Sequence, residues 1–216
     1  MKTYIMFLAA FVTLISSGAS AKESKQITKL FSMTPEAFAS AVLVKDDALE
    51  TSVALNTSKA FQETHGLLKI VWSDIFLRSF IDKSNGSTTY QVYARLLYVG
   101  PSWPRFERAN FALPNRAVNS VELVKINSDV DCSLSQYSSG CSYVETVAFE
   151  ITENDIKSLA ITYSPTARNA MVIRFKGQSG VDSDMSLVPA EAAGLLKVTA
   201  EYQNRYHSRD AEQSSE

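Results

Sequence analysis

Apolar and polar residues alternate one by one through much of this chain, the two-residue period of β-strands. In "ALETSVALNT", Leu49, Thr51, Val53 and Leu55 fall on one face and Glu50, Ser52 and Asn56 on the other, which predicts a half-buried strand. In "GLLKIVWSDIFLRSFIDK", Leu68, Ile70 and Trp72 share a face before the phase shifts to Ile75, Leu77 and Ile81. A phase shift inside an apolar run predicts a bulge or bend near Ser73-Asp74. "DKSNGST" then sets Asn85-Gly86, a pair suited to positive φ, before the alternating Tyr90, Val92, Ala94, Leu96 and Tyr98. These features predict a tight hairpin across residues 67–99.

Pro101 and Pro104 in "GPSWPRF" remove backbone donors and break the pattern. Further strands are predicted over residues 105–113, 120–127, 142–151 and 169–175. Thr152 followed by Asp155 resembles a capping box and starts a short helix. Thr34, Pro35 and Glu36 supply a cap, a first-turn proline and a first-turn acid for another over residues 34–41. The longest helical pattern is "VPAEAAGLLKVTAEYQNRY". In it Ala192, Leu195, Leu196, Thr199 and Tyr202 form a stripe with Val198 beside it, Glu191 suits the positive helix end and Gly194 interrupts. The expected fold is mainly β with α additions: an antiparallel β-sandwich, or a strongly curved sheet, with a C-terminal amphipathic helix packed on it.

The two ends add a destination. Residues 1–21 place Lys2 before an apolar run of about 12 residues and close on Ala19-Ser20-Ala21. This is the layout of a signal peptide cut after Ala21, and the run is short of the roughly 20 residues a spanning helix needs. A polar lead-in is expected over residues 22–32, one β-rich domain over 33–207, and a disordered tail over 208–216. The protein is therefore expected to be exported, periplasmic or extracellular, with no membrane span left after cleavage. The formal charge of −2 for the whole chain, without clustered Lys or Arg, excludes nucleic acid as an expected partner.

The two cysteines, Cys132 and Cys141, flank a serine-rich loop with Tyr137 near its middle. Their spacing does not suit a C-x-x-C redox pair, and His65 and His207, the two histidines, stand at no metal-ligand spacing from them. In an oxidising compartment a disulfide is the simplest reading, and it would pinch a hairpin loop shut at its base. No metal and no cofactor are expected.

Signals for catalysis are sparse. No G-x-S-x-G string occurs, and a hydrolase would need His65 brought to an acid such as Asp74 or Asp131 in three dimensions. Three acid pairs, Asp46 with Asp47, Asp129 with Asp131 and Asp182 with Asp184, read as solvated turn residues. The aromatic Trp103 and Phe106 of the Pro-bearing loop, with Tyr137, form the candidate binding surface. The functional expectation is an exported, non-enzymatic binding or accessory domain of the bacterial cell envelope, with a protein or envelope component as partner. The alternatives are a subunit of an envelope assembly docking through its C-terminal helix, and a small hydrolase.

Overall fold

The computed structural model describes residues 25–65, 70–71, 73–113, 116–133 and 140–213. The expected signal peptide, residues 1–21, and Tyr137 lie outside the described residues. The chain begins with α1 (Lys25–Ser32) and α2 (Pro35–Ser40). Six strands follow: β1 (Leu43–Lys45), β2 (Ser52–Asn56), β3 (Thr64–His65), β4 (Ile70–Val71), β5 (Asp74–Asp82) and β6 (Thr88–Gly100). Next come β7 (Phe106–Phe111), β8 (Asn119–Glu122), β9 (Val124–Asp131) and β10 (Cys141–Ile151). The chain continues through α3 (Glu153–Ala160), β11 (Met171–Gly177), β12 (Asp182–Leu187) and α4 (Pro189–Gln213).

The strands build a six-stranded sheet of order β1-β2-β5-β6-β10-β9 and a four-stranded sheet of order β12-β11-β7-β8. The short β3-β4 pair stands apart from both, and every pairing is antiparallel. One face of the larger sheet forms the core, because alternation and register carry the same positions inward on neighbouring strands. Leu55 lies opposite Ser79, Ser79 opposite Tyr90, and Tyr90 opposite Ile151. Val53, Leu55, Leu77, Ile81, Val92 and Val147 are sealed there.

Two layers cover that face. The four-stranded sheet meets it where the rings of Phe111 and Phe149 stack at 5.6 Å, so the arrangement is a sandwich. Helix α4 covers the β2-β5 part, where Ala192, Leu195 and Thr199 are fully buried and Thr199 Oγ1 lies 2.8 Å from Ser79 Oγ. Gly194 allows α4 to approach α2 closely: a Cβ there would stand 2.6 Å from Phe38 Cβ and 2.7 Å from the Pro35 carbonyl oxygen.

Local chemistry explains most of the boundaries. Thr34 Oγ1 accepts from the Ala37 amide, and Thr152 Oγ1 accepts from the Asp155 amide while its hydroxyl donates to Asp155 Oδ2. The phase shift at Ser73-Asp74 is where the chain leaves the β3-β4 pair and enters the large sheet. Cys132 and Cys141 form a disulfide at the base of the β9-β10 hairpin. Closing a ring of that size stabilises by roughly 2.5–3 kcal/mol in the loop-entropy model.

Several expectations are corrected. The predicted strand across Leu49 begins only at Ser52, and Leu49 is 95% exposed. The Asn85-Gly86 turn belongs to a longer loop. Gly86 alone of the pair has positive φ, and Asp82 Oδ1 accepts from the Ser84 amide. The single strand expected over residues 120–127 is two, β8 in the small sheet and β9 in the large one. Asp182 and Asp184, read as solvated turn residues, lie on β12, which pairs with β11. Within the polar lead-in, residues 25–32 are helical and bury Leu30. Helix α4 continues to Gln213, into the segment expected to be a disordered tail.

Candidate functional site

A cavity of about 260 Å³ lies where α1, α2, β5, β12 and the start of α4 converge. Sequence dictates its walls. The stripe of α1 contributes Ile27 and Leu30, α2 contributes Phe38, and the segment after β2 contributes Phe61. Strand β5 contributes Ile75 and β12 contributes Met185. The Gln26 side chain ties α1 to β3 by bonding both backbone groups of Thr64, with 2.6 Å from the Thr64 amide to Gln26 Oε1.

Two carboxylates give this cavity, lined by both apolar and polar side chains, its chemistry. Glu191, in the first turn of α4, is 4% exposed. Its Oε1 accepts from the Thr57 hydroxyl at 2.5 Å and from the Leu77 amide at 3.1 Å, and the described hydrogen bonds of this side chain all fall on that oxygen. Burial pushes the Glu191 carboxyl up to about 7; the charge of Asp74 adds to that rise, and the Thr57 and Leu77 bonds oppose it. Asp74, the first residue of β5, is likewise raised by burial, to about 6, against the opposing pull of the Ile75 amide, the Gln62 side chain and Arg95. Near neutral pH this pair of acids exchanges protons instead of remaining a fixed double negative charge.

The other ionisable lining groups, Glu63 and Asp184, are also acids, and Arg174 holds Asp184 in two 2.8 Å hydrogen bonds. Among the described residues no Lys, Arg or His lines the cavity. The chain matches no family model, no curated protein and no solved structure. The site is therefore read from its own chemistry.

The candidate residues from the sequence do not converge. Phe106, proposed as a surface aromatic, is 4% exposed: the register shift between β7 and β11 at Gly177 breaks the alternation and puts it in the core with Ala109 and Phe111. Trp103 is half-buried and held from beneath: its indole N–H donates to Glu145 Oε1 at 2.7 Å, and its ring lies 5.5 Å from that of Tyr143. Glu145, 1% exposed, also accepts from the Phe106 amide at 3.3 Å and stands 3.2 Å from Lys125 Nζ. That last contact is an ion pair without hydrogen-bond alignment, which leaves Oε2 with no aligned donor. This cluster pins the Pro-bearing loop, with Phe106 in the core and Trp103 half-buried.

The acids separate as well. Asp131 sits exposed on β9, where its Oδ1 accepts from the Ser133 amide, a bond that lowers its pKa. In the sheet, β6 and β10 stand between it and Asp74. Asp182 pairs with Lys176 and Asp184 with Arg174 across β11-β12, and Asp46 pairs with Lys83. Among the described residues no group of three or more His, Cys, Asp or Glu is placed to hold a metal ion. The side chains of His65 and His207 lie outside the described residues.

Sequence reasoning named Asp74 only as a partner for His65 and read Glu191 as a helix-end charge. The available signal was that the phase break at Ser73-Asp74 and the helix start at Pro189 each leave an acid beside an apolar run.

Proposed function

We propose that the protein is an exported, non-enzymatic binding domain of the bacterial cell envelope, and that the cavity beneath α1 and α2 holds its ligand. The observation that carries this reading is a cavity where apolar side chains from α1, α2 and β5 meet a convergent set of acids and hydroxyls, a mixture of hydrocarbon and polar groups able to hold a small molecule. Its volume lies below the roughly 300–1,000 Å³ common for drug-sized ligands, so the ligand is small. Export is supported by the signal-like residues 1–21 and by the disulfide. Among the described residues no helix is long and apolar enough to cross a membrane.

Native mass spectrometry of protein purified without denaturation from its own envelope fraction tests the reading. It predicts a bound small molecule released on unfolding, and loss of that mass in Ser186→Phe, which fills the cavity from β12. A ligand kept unchanged by Ser186→Phe places the site elsewhere.

A second reading, the small hydrolase, is favoured by the raised pKa values of Asp74 and Glu191. It predicts turnover of the bound compound with a bell-shaped pH dependence. Release of that compound unchanged after long incubation contradicts it. For docking through the C-terminal helix the support is weaker, because the stripe of Ala192, Leu195 and Thr199 is buried within the chain.

A further inference from the structure

Among the described residues Glu191 is a buried acid without a cationic partner. Among the described residues no Lys, Arg or His pairs with it, and its hydrogen-bond donors, the Thr57 hydroxyl and the Leu77 amide, are neutral. Glu145, the other buried glutamate, has Lys125 at 3.2 Å. A buried carboxylate gains most from a partner that brings a positive charge and donor hydrogens, since charge-assisted bonds are about twice as strong as neutral ones.

The remaining charges around the cavity agree in sign. Asp74 faces it from β5, Glu63 from the chain before β3, and Asp184 from β12, while α1 and α2 contribute only hydrocarbon. Two cations stand near these acids without lining the cavity: Arg95 lies opposite Asp74 in the β5-β6 register, and Arg174 holds Asp184. Among the described residues an anionic ligand would meet four acids and no cation in the lining. A calcium ion needs six to eight oxygens, and no metal-binding cluster occurs among the described residues.

We propose that the cavity selects a small amphipathic amine, its ammonium taken by the carboxylates of Glu191 and Asp74 and its hydrocarbon by Ile27, Leu30, Phe38 and Ile75. This rests on the reading of the cavity as the binding site and adds the class of ligand. The ammonium binds the ionised acids, so below neutral pH it must displace a proton. Affinity therefore rises with pH through the range of about 6 to 7 in which the two acids ionise, and binding below that range releases protons to solvent.

Isothermal titration calorimetry with hexylamine, hexanol and hexanoate tests the inference. The runs span pH 5 to 8, in two buffers of different ionisation heat. Hexylamine is expected to bind at least tenfold tighter at pH 8 than at pH 5, tighter than both controls, with proton release at pH 6. Glu191→Gln keeps the shape and an acceptor for Thr57 and Leu77; it should weaken hexylamine about tenfold or more at pH 8 and reduce the proton release. The pH series on the unaltered chain carries the test if that variant misfolds. Hexanol or hexanoate binding as tightly as hexylamine overturns the amine inference and leaves the cavity reading in place. Binding of none of the three overturns both.

Discussion

Glu145 and Glu191 are both sealed inside the sandwich, and their surroundings differ in one respect that sets their roles. Glu145 gathers an indole N–H, a backbone amide and the ammonium of Lys125. Every partner is a donor, one is charged, and the result is a clamp on the loop through Pro101 and Pro104. Glu191 gathers a hydroxyl and an amide on one oxygen, has Asp74 as an electrostatic neighbour, and borders a cavity. The same side chain at similar burial is architecture where the fold supplies a cation and a candidate site where it supplies none.

Removing each side chain should separate the two regions. Glu145→Ala leaves the Trp103 and Phe106 donors without their acceptor and is expected to cost roughly 2–5 kcal/mol in urea unfolding. A loss under about 1 kcal/mol would mean that the clamp is ornamental.

Glu191→Gln acts in the opposite direction and only in part of the pH range. The folded carboxyl is raised to about 7 from 4.5, so its contribution is fully present below the unfolded value and is lost as pH rises through 7. Glu191 alone should account for a loss of about 3 kcal/mol between pH 4 and pH 8 in the unaltered chain, on top of the smaller, same-signed dependence of Asp74 that the Gln variant keeps. Above pH 7.5 the variant should be the more stable protein. Parallel stability curves from pH 4 to pH 8 would remove the distinction drawn between the two glutamates.

Two smaller effects sharpen the comparison at its edges. Gly194→Ala raises helix propensity, yet its Cβ meets the backbone of α2 beside the cavity wall. A net loss of about 1–3 kcal/mol is expected in thermal unfolding. Arg174→Ala breaks an ion pair whose two side chains are about half exposed, 54% and 46%, and should leave the thermal unfolding midpoint almost unchanged.

The β framework was legible because alternation is local: Val53, Leu55, Val92 and Ala94 announce their inward faces in a few residues each. The caps at Thr34 and Thr152 were legible for the same reason. What stayed hidden depends on partners distant in sequence. The segment "DSDMSL" is a strand only because β11 pairs with it, and "KQITKLFS" is an ordered wall only because Leu30 meets Phe38, Val188 and Ala190. The site was hidden most deeply. Glu191 sits 114 residues from Leu77 and 134 from Thr57, so no window of the chain displays the three together.

The central claim, that Glu191 is a cavity acid lacking a cation, is tested most directly by the ¹³C chemical shift of its side-chain carboxyl between pH 4 and pH 9. The structure predicts a midpoint near 7. A midpoint near the ordinary glutamate value of about 4.3 would contradict it, and with it the case for a binding site beneath α1 and α2.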